Sequence, residues 1–211
     1  MTPLPTQGLY AITGDGPDGP GDLPGAVEAA IRGGAALIQY RDKSGDGQRR
    51  FQAARALLDV CRAHEVPLII NDDVELAAGI GADGVHLGKV DPSVAAARAH
   101  LGKGRIIGVS CYDALERAQA AEKAGADYVA FGSFYPSGTK PEAVPVTVAQ
   151  LRAFRQGLPL PIAAIGGITP ENAPPLIAAG ANLLAVIQGV FGAPDVAAAA
   201  RAYADLFRWD P

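Results

Sequence analysis

The sequence is poor in cysteine, in aromatic residues and in net charge. Cys61 and Cys111 are its two cysteines, and neither belongs to a CxxC pair. That argues against a disulfide framework or a zinc knuckle and fits reduced thiols in the cytosol. The net charge is -4, with charges of both signs intermixed. A basic footprint for nucleic acid is lacking, and so is a charged interaction tail. No apolar run reaches the roughly 18 residues that a membrane helix requires. The opening stretch, MTPLPTQGLYAIT, lacks the basic segment and apolar core of a secretory signal. The expectation is a soluble cytoplasmic protein without nucleic-acid or membrane partners. What the chain does have is aliphatic bulk. Hydrophobic residues make up 49% of its 211 positions and aromatics 6%, which suits one domain, residues 1–211, with a large aliphatic core.

Short apolar runs alternate with alanine-rich helical stretches. Strands are expected at Leu9–Ile12, Leu37–Tyr40, Leu68–Ile70, Gly84–Leu87, Ile106–Val109, Tyr128–Phe131, Ile162–Ile165 and Leu183–Ile187. Helices are expected near Leu23–Arg32, Gln48–His64, Val74–Ile80, Pro92–Leu101, Ala114–Ala124, Thr147–Arg155, Pro170–Ala179 and Ala193–Phe207. The strands are β-branched and do not alternate in polarity, as parallel strands covered on both faces should be. Four of them, the second, fourth, sixth and eighth, follow Gly-Ala: GGAALIQYR, GADGVHLG, GADYVAFG and GANLLAVIQG. This spacing reads either as a quarter-barrel repeat or as the need of each preceding helix for a glycine cap. Eight βα units favour an α/β fold of one (β/α)8 TIM barrel. An open doubly wound sheet would place a helix on the glycines after the first strand, and AITGDGPDGPG reads as a mobile loop instead. The second long loop spans 132–146, and long loops without regular structure tend to be functional.

In such a barrel the strand C-termini share one face, where chemistry belongs. The second strand ends in IQYRDK, which brings Gln39, Arg41 and Lys43 out in alternation. Arg41 offers a planar fork for phosphate oxygens and Lys43 a point charge; the blander reading is a surface ion cluster with Asp42. Asn71, Asp72 and Asp73 follow the third strand. Asp73 suits a helix cap, and Asp91, ahead of Pro92, could serve as another. Asp72 and Asp91 nevertheless lie on neighbouring strand ends beside basic residues. Two carboxylates there form a hard-cation site, and Mg2+ typically takes one or two carboxylates and completes its shell with phosphate and water. Ser110 stands past the fifth strand. Gly166, Gly167 and the end of the eighth strand suggest a second phosphate site on backbone N–H groups. Ser133, Ser137, Thr139 and Lys140 crowd the 132–146 loop with more donors than a turn needs. His64, His86 and His100 show no metal-ligand spacing and read as structural. Cys111 reads as buried filler.

Taken in order, IQYRDK, LIINDD, GADGVHLGKVD, IIGVS, FGSFYPSGTK and AAIGGI resemble the thiamine-phosphate synthase (thiamin phosphate pyrophosphorylase) family over nearly the whole chain. The resemblance implies that 4-amino-2-methyl-5-pyrimidinylmethyl diphosphate is condensed with a thiazole phosphate to thiamine phosphate, releasing diphosphate. It implies Mg2+ on Asp72 and Asp91, and C–O cleavage ahead of attack. Gln39, Arg41, Lys43 and Asn71 would meet the pyrimidine diphosphate, together with Ser110 and Lys140. Tyr40 and Asp42 are counted with these contacts. Ser137, Gly138, Thr139, Gly167, Ile187 and Gln188 would hold the thiazole phosphate. The loop carrying YPSGTK would act as a lid over both. Three positions depart from the pattern: Gln188 stands where Ser is common, Ser137 where Thr is common, and Tyr112 where His is common. A thiazole tautomerase of the same fold would carry His where this chain has Ser133. A sugar-phosphate isomerase or epimerase would leave Asn71, Asp72 and Asp91 unexplained. A non-catalytic phosphate-binding barrel would need no carboxylate pair. The sequence leaves open which thiazole form is preferred and whether the chain forms a homo-oligomer.

Overall fold

The computed structural model describes residues 2–14, 21–136 and 145–208. Eight parallel strands close on themselves in sequence order: β1 (Gly8–Ile12), β2 (Ala35–Tyr40), β3 (Leu68–Asn71), β4 (Gly84–Leu87), β5 (Ile106–Tyr112), β6 (Tyr128–Phe131), β7 (Ile162–Ile165) and β8 (Leu183–Val186). Leu9 of β1 pairs with Ala35 of β2 on one side and Leu184 of β8 on the other, which completes the ring. The expected TIM barrel is thus observed. Around it run α1 (Leu23–Arg32), α2 (Gly47–Ala63), α3 (Val74–Ile80), α4 (Val94–Leu101), α5 (Leu115–Lys123), α6 (Val148–Gln156), α7 (Pro174–Ala178), α8 (Gln188–Phe191) and α9 (Val196–Ala204).

Each strand is buried on both sides, which explains its lack of alternation. Val85, Leu87, Val129 and Phe131 face outward into the layer shared with the helices. Leu37, Ile69, Ile106, Tyr128 and Leu183 face inward and plug the barrel. The Gly-Ala repeat has its cause in the caps: Gly34, Gly81, Gly125 and Gly180 all take positive φ where a helix hands over to the next strand.

Four differences from the sequence reading shape the strand ends and the loops after them. β5 continues to Tyr112, with a register shift between Ser110 and Tyr112 that re-aims the strand end. α4 begins at Val94 because Ser93, not Asp91, caps it. The helix expected from Pro170 begins at Pro174, because the Asn172 side chain folds 169–172 into a turn by accepting from the Thr169 N–H and donating to the Gly167 carbonyl. The last expected helix is two: α8, directly after β8, and α9, capped by Asp195.

Candidate active site

The second inward position of each strand decides what the barrel mouth offers. On β2, β3, β4 and β5 it is polar or leads to a polar group: Gln39, Asn71, His86 and Ser110. On the opposite side it is apolar: Ile12, Ala130, Ile165, Ala185 and, just past β8, Ile187. Together they line a cavity of about 430 Å³. One wall can hydrogen-bond the edge of a ring while the other packs against its face. Arg41 joins the polar wall. Its place is set by Thr13, a buried residue at the end of β1. The Thr13 hydroxyl accepts from the Arg41 N–H at 2.9 Å and donates to the Arg41 carbonyl at 3.1 Å.

A second cavity of about 670 Å³ adjoins the first through Asn71 and contains Lys43 and Asp72 in its wall. Asp73 is committed to structure, as expected. It caps α3 through the Leu76 N–H at 2.8 Å and pairs with Arg50 at 2.8 Å. Asp72 and Asp91 are not spent this way. Asp72 takes a left-handed backbone, φ 63°, which turns its carboxylate towards Asp91. Asn71 Nδ2 donates to Asp72 Oδ2 at 2.7 Å, and Lys43 Nζ lies 3.8 Å from the same oxygen. Asp91 Oδ2 accepts from the Gly88 N–H. Burial, and then the neighbouring Asp91, push the Asp72 carboxyl above the usual carboxylate range, against the pull of Lys43 and Asn71. Two carboxylates held this close by separate loops fit a divalent cation. No group of three or more His, Cys, Asp or Glu that could hold a metal occurs among the described residues, so the remaining ligands would come from water and substrate, as Mg2+ commonly arranges.

Arg117 braces this corner. Its guanidinium donates to the Ser110 carbonyl at 2.7 Å and the Gly88 carbonyl at 2.9 Å, and it lies 5.8 Å from the Tyr112 ring centre. It thereby ties the Ser110 strand end to the loop that carries Asp91. On the far side, Gly167 has φ 59°, and a Cβ there would stand 2.4 Å from the Pro136 carbonyl oxygen. Only glycine allows the 132–136 backbone to pack so closely on this turn. Ile187 and Gln188 open α8 beside Gly14.

The structure therefore brings together Gln39, Arg41, Asn71, Ser110, Gly167, Ile187 and Gln188 around the first cavity, and Lys43, Asn71 and Asp72 around the second. Ser137, Gly138, Thr139 and Lys140 lie outside the described residues. Tyr40 and Asp42 belong to the same strand end, and Asp42 lines the second cavity with Lys43. The Tyr40 side chain packs in the outer layer and donates to Asp42, while Asp42 also accepts from Arg49 and the Ser44 N–H. Burial would raise the Asp42 carboxyl, but Arg49 and Ser44 outweigh it and hold it down at about 2. These bonds fix the loop that carries Arg41 and Lys43. Cys61 and Cys111 are free and buried, and burial pushes both thiols up to about 12, so neither is a nucleophile. Thr13, Arg117 and the buried partners of His86 had no signal in the sequence beyond the period-2 inward register.

Comparison with known proteins agrees with this geometry. The family model described as thiamine monophosphate synthase matches residues 9–190. The thiamine-phosphate synthase of Nitrosococcus oceani is 55% identical over 201 residues, covering 95% of this chain and 93% of that one. That of Methylococcus capsulatus is 55% identical over 205 residues, covering 97% and 91%. A solved thiamine phosphate pyrophosphorylase from Pyrococcus furiosus superposes with a TM-score of 0.86 at 32% identity, over 96% of each chain. On its sequence, its barrel and its strand-end residues, the chain belongs to the thiamine monophosphate synthase family.

Proposed function

We propose that the chain joins 4-amino-2-methyl-5-pyrimidinylmethyl diphosphate to a thiazole phosphate, forming thiamine phosphate and releasing diphosphate, with Mg2+ as cofactor. Family membership makes it a transferase of this type. The observation that carries the finer reading is the Asp72–Asp91 pair beside the polar wall of a half-apolar cavity. A flat heteroaromatic ring fits such a cavity, and its diphosphate would reach the charged corner. Bound there, Mg2+ would supply charge neutralisation for the leaving diphosphate. Arg41 and Lys43 would hold the phosphate oxygens, with Lys140 as a third cation. Gln39, Asn71 and Ser110 would orient the pyrimidine and its first phosphate.

The methylene C–O bond would break first, its electron pair leaving with the diphosphate. The thiazole nitrogen would then donate its lone pair to the methylene carbon. No covalent nucleophile is required, so preorganised charge can supply most of the acceleration. Ser137, Gly138 and Thr139, with backbone around Gly167, Ile187 and Gln188, would hold the thiazole phosphate, whether carboxylated or not. Free buried thiols support a cytoplasmic setting, and among the described residues no helix is long and apolar enough to cross a membrane.

Two outcomes test this reading. Lys140→Ala is expected to lower the rate about a hundredfold, as loss of one charged contact to a transition state does; an unchanged single-turnover rate would remove Lys140 from the site. Mg2+ should also stabilise the protein with a definite pH dependence. Because the Asp72 carboxyl is raised in the fold, its protonated form is favoured, and that stabilisation is lost as pH rises through the raised value. At pH 8 the cation relieves the repulsion. Thermal unfolding at about a hundredfold excess of Mg2+ over Kd should then shift by about 2.7 kcal/mol, or roughly 5–10 °C. At pH near the ordinary carboxylate range protons compete and the shift should shrink. An equal shift at both pH values, or none at pH 8, would contradict the two-carboxylate site.

A further inference from the structure

Five side chains form one hydrogen-bonded file beneath the cavity. Gln39 Nε2 donates to the Tyr10 hydroxyl. The Tyr10 and Tyr128 hydroxyls lie 2.6 Å apart. The Tyr128 hydroxyl lies 2.8 Å from His86 Nδ1, and His86 Nε2 lies 2.9 Å from Ser110 Oγ. Tyr10, Gln39, Tyr128 and His86 are all less than a tenth exposed, so their polar groups need hydrogen-bond partners there. Both ends of the file, Gln39 and Ser110, open on the first cavity. A Cβ at Gly108 would stand 2.0 Å from the Tyr128 ring, so glycine there lets that ring take its place.

Counting hydrogens gives the file one direction. Each phenol carries one proton and keeps it, since burial raises both well above their ordinary range. The Tyr10 oxygen accepts from Gln39, so the Tyr10 proton goes to the Tyr128 oxygen. The Tyr128 proton then goes to His86 Nδ1. With Nδ1 accepting, Nε2 carries the ring proton and donates to Ser110 Oγ. The Ser110 proton is left to point into the cavity. With Gln39 Nε2 turned to Tyr10, the reverse direction would strand the Tyr10 proton between two donors; it would require the amide to turn over and accept through Oε1.

We infer that this file fixes Ser110 as a hydrogen-bond donor to an acceptor atom of the pyrimidine substrate, with His86 held as its Nε2–H tautomer and Tyr10, Tyr128 and His86 as positioning residues. The inference rests on the functional reading above. Its first test needs no substrate: nitrogen-15 NMR of the histidine rings in the wild-type protein, with His86→Gln to assign the signals. The His86 ring is expected to be protonated on Nε2 and to accept on Nδ1. A ring protonated on Nδ1 would overturn the file's direction.

The second test is kinetic. Tyr128→Phe keeps the ring packed on Gly108 and removes the proton given to His86. It is expected to lower kcat/KM for the pyrimidine diphosphate about tenfold, the worth of one hydrogen bond, and to leave KM for the thiazole phosphate unchanged. His86→Gln keeps an amide donor and should retain more activity than His86→Leu. An unaltered kcat/KM in Tyr128→Phe, or equal losses in the two His86 variants, would overturn the positioning role. Because the tautomer is read without turnover, an inactive wild-type protein would contradict the functional reading alone, and an Nδ1–H ring would contradict the file alone.

Discussion

Asp72→Asn should cost roughly a hundred- to a thousandfold in turnover while making the metal-free protein more heat-stable. The two effects have one cause. The Asp72 carboxylate is disfavoured in the fold by burial and by Asp91, so removing its charge relieves a repulsion that the apo protein bears. Asparagine suits the site in other respects. It tolerates the left-handed backbone at φ 63°, and its carbonyl oxygen can still accept from Asn71 Nδ2. What it cannot do is present a charged oxygen to a divalent cation beside the developing negative charge of the diphosphate. Loss of one such electrostatic stabiliser typically costs that range in rate. The gain in stability with loss of activity is the pattern of a site whose charges serve function at the expense of the fold. Steady-state kinetics with Mg2+ and thermal unfolding without it are the checks. Lower stability of the apo variant would mean that Asp72 holds the loop rather than a cation.

Arg41→Gln is expected to lower kcat/KM for the pyrimidine diphosphate about a hundredfold, as loss of a charge-assisted, two-pronged contact worth about 3 kcal/mol would. Arg41→Lys should restore only part of it, because an ammonium lacks the planar fork. In both variants the backbone of residue 41 stays anchored by the Thr13 hydroxyl. Kinetics with each substrate varied in turn would show the loss on the pyrimidine side. A loss confined to the thiazole phosphate would move Arg41 to the other phosphate site.

The barrel was legible in the sequence because its cause is local. Each strand is a short apolar run, and the helices that return to β2, β4, β6 and β8 hand over through a glycine of positive φ. The strand-end residues were legible for a similar reason: Gln39, Asn71 and Ser110 occupy inward positions that follow Leu37, Ile69 and Ile106 by the strand period. Tertiary choices were hidden. Whether Asp91 or Ser93 caps α4 depends on where the chain bends, and Ser93 takes the cap. Tyr40 sits in the same motif as Arg41, yet its side chain packs in the outer layer and donates to Asp42. His86 read as a lone structural histidine because its partners, Tyr128 and Ser110, stand 42 and 24 residues away on other strands. Arg117 lies in a helix with no motif around it, and only the closed barrel brings the Ser110 and Gly88 carbonyls to it. Short α8 was obscured by the Gly192 and Pro194 that follow it.

The central claim is that this barrel joins the two substrates with the help of a cation on Asp72 and Asp91. The most direct measurement is to mix the purified protein with the pyrimidine diphosphate, a thiazole phosphate and Mg2+, and to quantify thiamine phosphate and diphosphate with and without EDTA. The account predicts equal amounts of both products, abolished by the chelator and restored by excess Mg2+. Product formed at the same rate in EDTA would contradict the metal site, and no product from substrates that both bind would contradict the proposed activity.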